Sequence, residues 1–118
     1  MIQKINGSFR VIADRNKKNY SDEDEFDFNI GPVVNIGIYS LGHQLDTLVD
    51  GHMFYSPPYA FAKLYMTDMS HVGAIEITKL DKIKRIISGT FEADLAYYDP
   101  NISDSIIHIR NGRFDVKY

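Results

Sequence analysis

The chain has no cysteine, which excludes disulfides, thiolate metal sites and a cysteine nucleophile. It has no basic excess either: thirteen lysines and arginines stand against sixteen acids, a net charge of -3. A nucleic-acid binder needs a basic face to neutralise phosphates, so that class is disfavoured. The one local basic patch, Arg15, Lys17 and Lys18, lies beside the acidic run Asp22 to Glu25 and is largely cancelled. No segment reaches the about 18 consecutive apolar residues of a membrane-crossing helix, and Met1 to Asn6 lacks the apolar centre of a signal peptide. Catalytic signatures are missing as well. No serine stands in a nucleophile-elbow context, no carboxylate pair is marked out and no HExxH occurs.

What the chain has is length for one domain and strand alternation. With 118 residues, 44% of them hydrophobic and 25% charged, it can bury a core of its own. Phe9, Val11 and Ala13 alternate with Ser8, Arg10 and Ile12; Phe26, Phe28 and Ile30 with Glu25, Asp27 and Asn29; and Val34, Ile36 and Ile38 with Val33, Asn35 and Gly37. Each set reads as a half-buried strand. Asp14 to Glu25, polar and without periodicity, reads as a hairpin loop, and Gly31-Pro32 as a tight turn. Leu41, Leu45, Leu48 and Val49 fall at helical spacing before Gly51, compatible either with one short helix over 43–50 or with a buried loop over Leu45 to Val49. Ser56-Pro57-Pro58 ends that region. Tyr59 to Thr67 is apolar on both faces and is read either as a central strand, the commoner case, or as one that offers aromatics to a ligand.

The C-terminal part is the clearest. Ile75 and Ile77 open one strand, residues 80–83 turn the chain, and Ile87, Gly89, Phe91, Ala93, Leu95 and Tyr97 keep one phase along a longer strand. Ile107 and Ile109 are in phase with each other but out of phase with Phe114 and Val116. A two-residue hairpin at Asn111-Gly112 would restore one face, and would set His108 against Asp115. A bulge at the same place would restore it too and keep residues 106–118 as a single strand matching the whole of 86–97. The matching lengths favour the bulge.

Three segments carry a resemblance: Gly73 to Asp81 (GAIEITKLD), Ile87 to Phe91 (ISGTF) and Gly112 to Val116 (GRFDV). In this order they are similar to the C-terminal half of an uncharacterised family of small secreted lipoproteins of Bacteroidota. Gly37-Ile38-Tyr39-Ser40-Leu41 and Tyr65-Met66-Thr67 extend the likeness upstream. The resemblance implies an antiparallel β fold and an envelope-facing protein held by a lipid anchor, and it implies no activity. Family members open with a signal peptide, a lipidated cysteine and an early strand or two. This chain is expected to start after them, so that membrane attachment would run only through an anchor the chain itself lacks. If those early strands cover a sheet edge, that edge is exposed here, and a homo-oligomer through strand pairing is expected.

Candidate sites are few. The run Asp22-Glu23-Asp24-Glu25 lacks the spaced pattern of a calcium loop and reads as solvated. The histidines His43, His52, His71 and His108 share no metal-ligand spacing. No metal or cofactor site is therefore expected. Arg113, Asp115 and Lys117 form a charge ladder of the kind that discourages edge aggregation, and Glu92 and Asp94 share a strand face. Asn6, Asn19 and Asn101 head three Asn-x-Ser sequons, which are chance matches if the resemblance to bacterial proteins holds. Tyrosine is the one excess, eight in all, with Tyr55, Tyr59, Tyr97 and Tyr98 as the candidate ligand-binding residues, since aromatic platforms hold sugars and peptides and keep one end wet.

The expected protein is an all-β antiparallel sandwich or flattened barrel of about seven strands in largely sequential order. Its expected role is non-enzymatic: an envelope or extracellular domain that binds or scaffolds an extracellular ligand or partner. The alternative is an intracellular interaction module of immunity or adaptor type, suggested by the leaderless, acidic chain.

Overall fold

The alternation becomes nine strands in the computed structural model, which describes residues 2–5, 8–14, 25–33, 35–57 and 64–118. They are β1 (Ile2–Ile5), β2 (Ser8–Asp14), β3 (Glu25–Ile30), β4 (Gly37–Leu41), β5 (Gly51–Ser56), β6 (Tyr65–Met66), β7 (Gly73–Asp81), β8 (Ile86–Tyr97) and β9 (Ile106–Lys117). The all-β expectation holds, with β1 and β5 added to the strands read from the sequence. The sheet runs β1-β2-β3-β5-β4-β7-β8, with β9 on the far side of β8. β6 bridges β5 and β8 and so closes a ring of β4, β7, β8, β6 and β5. Every pairing is antiparallel except one parallel contact, Leu41 with Gly51. Because β5 inserts between β3 and β4, Gly31-Pro32 is not a hairpin turn; its peptide bond is cis.

The inner face carries the core. Phe9 and Val11 of β2, Phe28 and Ile30 of β3, Met53 of β5, Ile75 and Ile77 of β7, and Ile87, Ala93 and Leu95 of β8 are buried. The β2–β3 wing packs across onto β8 and β9. Phe28 lies 5.7 Å from Phe91 and 5.4 Å from Phe114 between ring centroids, and Phe9 meets Tyr118 edge-on at 4.9 Å. Each fully buried large side chain of this kind contributes about 1.5–3 kcal/mol.

The phase change in β9 is a bulge. Phe91 pairs with Gly112 and Ala93 with Ile109, so Arg110 and Asn111 together face Glu92. Asn111 takes a φ of 57°, a left-handed conformation that asparagine tolerates better than most residues. Ile107, Ile109, Phe114 and Val116 thereby share one face. The freed backbone at the bulge is tied by Arg110, whose guanidinium donates to the carbonyls of Ala93 (3.2 Å) and Ile109 (2.9 Å). His108 accordingly faces Asp94, with Nδ1 and Oδ1 2.7 Å apart, and not Asp115.

Two expectations need correction. The helix over 43–50 is absent: residues 44–45 and 47–48 are turns. Leu45 is 79% and Leu48 91% exposed, so the helical spacing finds nothing to pack on. Local bonds compete with helix instead, the Leu45 N–H donating to His43 Nδ1 and the Leu48 N–H to Asp46 Oδ1. The Val34-Ile36-Ile38 strand is out of phase. Ile36 and Ile38 are 63% and 73% exposed, whereas Val33 and Leu41 are buried and Tyr39 packs on the core; Val34 lies outside the described residues. Of the strand read over Tyr59 to Thr67, the described part Tyr65–Met66 is paired on both sides, by β5 and β8; residues 59–63 lie outside the described residues.

Candidate functional site

The same inner phase that buries Phe28, Met53 and Leu95 brings a line of aromatic rings to one end of the flattened barrel. Phe26 of β3 pairs with Tyr55 of β5, Tyr55 with Tyr65 of β6, and Tyr65 with Tyr97 of β8. Four adjacent strands thus contribute one aromatic residue each to a single row. Phe26 and Tyr55 stack at 4.4 Å with an interplanar angle of 24°. Tyr65 and Tyr97 meet edge to face at 5.5 Å, and Tyr98 adds a fifth ring, tilted by 52° at 4.8 Å from Tyr97. Rings in such arrangements attract one another beyond the area they bury.

The row rests on a rigid layer. Thr67, almost fully buried, accepts the Met53 N–H at 3.0 Å and donates its own hydroxyl proton to the Gly42 carbonyl at 2.7 Å. This hydroxyl holds the two-residue β6 against β5, and the Tyr98 N–H bond to the Leu64 carbonyl (2.8 Å) fixes its other side. Phe26, Tyr55, Tyr65 and Tyr97 are half-buried, and Tyr98 is 44% exposed. Desolvation and the neighbouring Tyr98 phenol push the Tyr97 pKa above its ordinary value. Its hydroxyl therefore remains a neutral donor throughout the physiological range. The row can offer a ligand ring surface and phenolic hydroxyls.

Three of the four tyrosines singled out in the sequence, Tyr55, Tyr97 and Tyr98, meet in this row; Tyr59 lies outside the described residues. Tyr65 and Phe26 are the members the sequence reading missed. Both lie on apolar strand faces that were legible, but the neighbourhood of β5, β6 and β8 was not.

A second cluster occupies the outer face of β2, β3 and β5. The Arg10 guanidinium donates to both oxygens of the nearly buried Asp27, at 2.6 Å from Nη2 and 3.2 Å from Nε. Asn29 Nδ2 lies 3.5 Å from Asp27 Oδ1 and 3.3 Å from His52 Nε2. Burial lowers the His52 pKa. His52 and His43 line one shallow groove of about 260 Å³ with Asn29, Asp46 and Asp50. Among the described residues, no three histidine or carboxylate side chains converge as a metal site would require. Of the acidic run, only Glu25 is described.

A third cluster lies on the outer face of β8 and β9. Asp94 accepts from His108 and from Arg110 Nη2 (2.8 Å), which together hold its carboxyl below the usual range. Its carboxylate is committed to the bulge, and Glu92 stands exposed beside it. Asp115 accepts the Ser88 hydroxyl at 2.6 Å. No protein-family model, curated protein or solved structure matches this chain. The chemistry of these three clusters is therefore read from their own residues.

Proposed function

We propose that the chain is a non-enzymatic binding domain of the cell envelope or extracellular space, which takes an uncharged ligand with apolar faces at the tyrosine end of its flattened barrel. A glycan is the class that fits: sugar rings present C–H faces to aromatic surface and hydroxyls to phenolic oxygens. The observation that carries this reading is the alignment of Phe26, Tyr55, Tyr65 and Tyr97 across four strands, extended by Tyr98. A row needed only to cap the core could be made of phenylalanine and leucine. Tyrosine is the choice where one end of the ring stays wet. The envelope setting draws its support from the resemblance of residues 73–118 to small secreted lipoproteins.

The chain has no tryptophan, so its near-ultraviolet emission comes from tyrosine. A glycan array should yield a binder, and titration of that glycan should change tyrosine emission with a saturable curve. Tyr98→Ala should weaken binding about tenfold or more while leaving the fold intact. Glycans that fail to bind, or binding indifferent to both Tyr97→Ala and Tyr98→Ala, would overturn the proposal. A parallel peptide array that alone gives binders would move the ligand class from glycan to peptide.

A further inference from the structure

β9 offers a second surface, independent of the tyrosine row. It pairs along one edge with β8, and among the described residues no strand pairs with its other edge. The direction of its free backbone groups follows from one bond. The Tyr118 N–H donates to the Arg85 carbonyl at 2.8 Å, on the β8 side. In an antiparallel pair, successive residues point their N–H and C=O groups to opposite sides. Lys117, Asp115 and Arg113 therefore aim theirs away from β8, toward the open edge. The side chains of the same three residues are exposed on the outer face.

Such an edge is a template for another strand, and its charges decide which strand fits. Two copies of β9 can meet antiparallel with edge-facing residues opposite one another in a small set of registers. With Arg113 opposite itself, like charges face across the junction. With Asp115 opposite itself, like charges face there too, and Arg113 falls opposite Lys117. Like charges directly opposite are destabilising. In the register between these two, each Arg113 faces Asp115 of the partner subunit, and the two-fold axis passes through Phe114. That register makes both pairs attractive, and each pair exchanges two backbone hydrogen bonds.

We infer that the protein forms a two-fold dimer through β9, registered by Arg113 against the partner's Asp115. The side chains are prepared for it. Ser88 holds one oxygen of Asp115 and leaves the other to accept, while Arg113 finds no ion-pair partner among the described residues. The bulge at Asn111 limits the length of the pairing, because it breaks the regular alternation of edge groups just past Arg113. An isologous junction of this kind uses both edges at once and closes at two copies. One further register, with the axis through Val116, sets Asp115 opposite the partner's Lys117 and is attractive as well, but it leaves Arg113 beyond the partner's β9. The charge ladder thus permits two registers, of which only the first uses Arg113, and Arg113→Asp tells them apart.

Sedimentation equilibrium at low salt, over a range of protein concentrations, should show a monomer–dimer equilibrium. Arg113→Asp and Asp115→Arg should each raise the dissociation constant about tenfold or more, because each replaces two attractive pairs by two repulsive ones. Both sites are exposed, and circular dichroism should be unchanged. An equimolar mixture of the two variants should recover a heterodimer, since every Asp then faces an Arg. Three results would overturn the inference: a wild-type protein that stays monomeric at the highest attainable concentration, single variants that dimerise as the wild type does, or a mixture that does not recover association.

Discussion

Phe28, Phe91 and Phe114 meet in the middle of the flattened barrel, and Phe26, Tyr55, Tyr65, Tyr97 and Tyr98 run along its end. Apart from Tyr98, which follows the end of β8 and adjoins Tyr97, both groups occupy the inner face, and their ring separations overlap: 5.4 to 6.4 Å in the first, 4.4 to 5.5 Å for the contacting pairs of the second. What differs is the access of water. Phe28 is 3% exposed, whereas Tyr98 is 44% exposed, and the phenol oxygens appear where the strands run out. The difference teaches that aromatic packing alone does not mark a working surface. Packing that ends in phenolic hydroxyls at a strand terminus is what separates the row from the core. Substitutions in the two groups should separate stability from binding.

The largest expected effect is on the phenylalanine side. Phe28→Ala removes a ring held between Phe91 and Phe114 and leaves a cavity across the β3–β8 packing. Such truncations cost about 3–5 kcal/mol, which is a large share of a small domain's stability. Urea denaturation should show a midpoint far below that of the wild type, and a loss under about 1 kcal/mol would mean that β2 and β3 do not pack on β8 and β9 as described. Next comes the bulge that turns Phe114 inward. Asn111→Val places a β-branched residue at a φ of 57°, which costs about 1–2 kcal/mol, whereas Asn111→Gly should be nearly neutral. Equal effects of the two would remove the left-handed conformation from the account.

On the tyrosine side the ranking reverses. Tyr98→Ala should change stability by no more than about 0.5 kcal/mol, the usual range for an exposed position, and still weaken glycan binding as stated above. Loss of stability comparable to that of Phe28→Ala would make Tyr98 a core residue and the row a cap.

How far the sequence could be read follows the same division. Ile75, Ile77, Ile87 and Leu95 keep strict alternation because β7 and β8 are local hairpin partners, and pattern and pairing reinforce each other. Asn111-Gly112 was legible as a phase change, and matching strand lengths chose the bulge. Ile36 and Ile38 were misleading, since their alternation is real but Tyr39 and Leu41 take the inner positions. Leu45 and Leu48 show helical spacing with no surface to receive it. The tyrosine row could not be read at all as a row. Its members lie on β3, β5, β6 and β8, and only the insertion of β5 beside β3 and the bridging by β6 bring them into register.

The smallest expected effect comes from the reverse side of β5, where His52 lies against Phe54 and Asn29. Burial lowers its pKa from the ordinary histidine value; Asp27 pulls it upward, and Arg10 and His43 push it further down. The amide nitrogen of Asn29 can only donate, so its bond to Nε2 requires that nitrogen to be unprotonated. The unfolded chain, with a histidine pKa of about 6.5, binds the proton more readily than the folded one. Stability should therefore fall as pH drops from about 6.5 to the depressed folded value, and this contribution should be constant above and below that window. The carboxylates held below their usual range, Asp68, Asp81 and Asp94, act in a separate acid window, below their unfolded pKa near 3.9. Urea midpoints at about pH 7.5 and about pH 5 bracket the histidine window and stay above the carboxylate one, and comparison with His52→Gln separates His52 from His43, His71 and His108. Stability should change less favourably toward the lower pH in the wild type than in His52→Gln. A difference of equal size in His52→Gln would assign the pH dependence to other groups and leave the Arg10–Asp27–Asn29–His52 row without a titrating member.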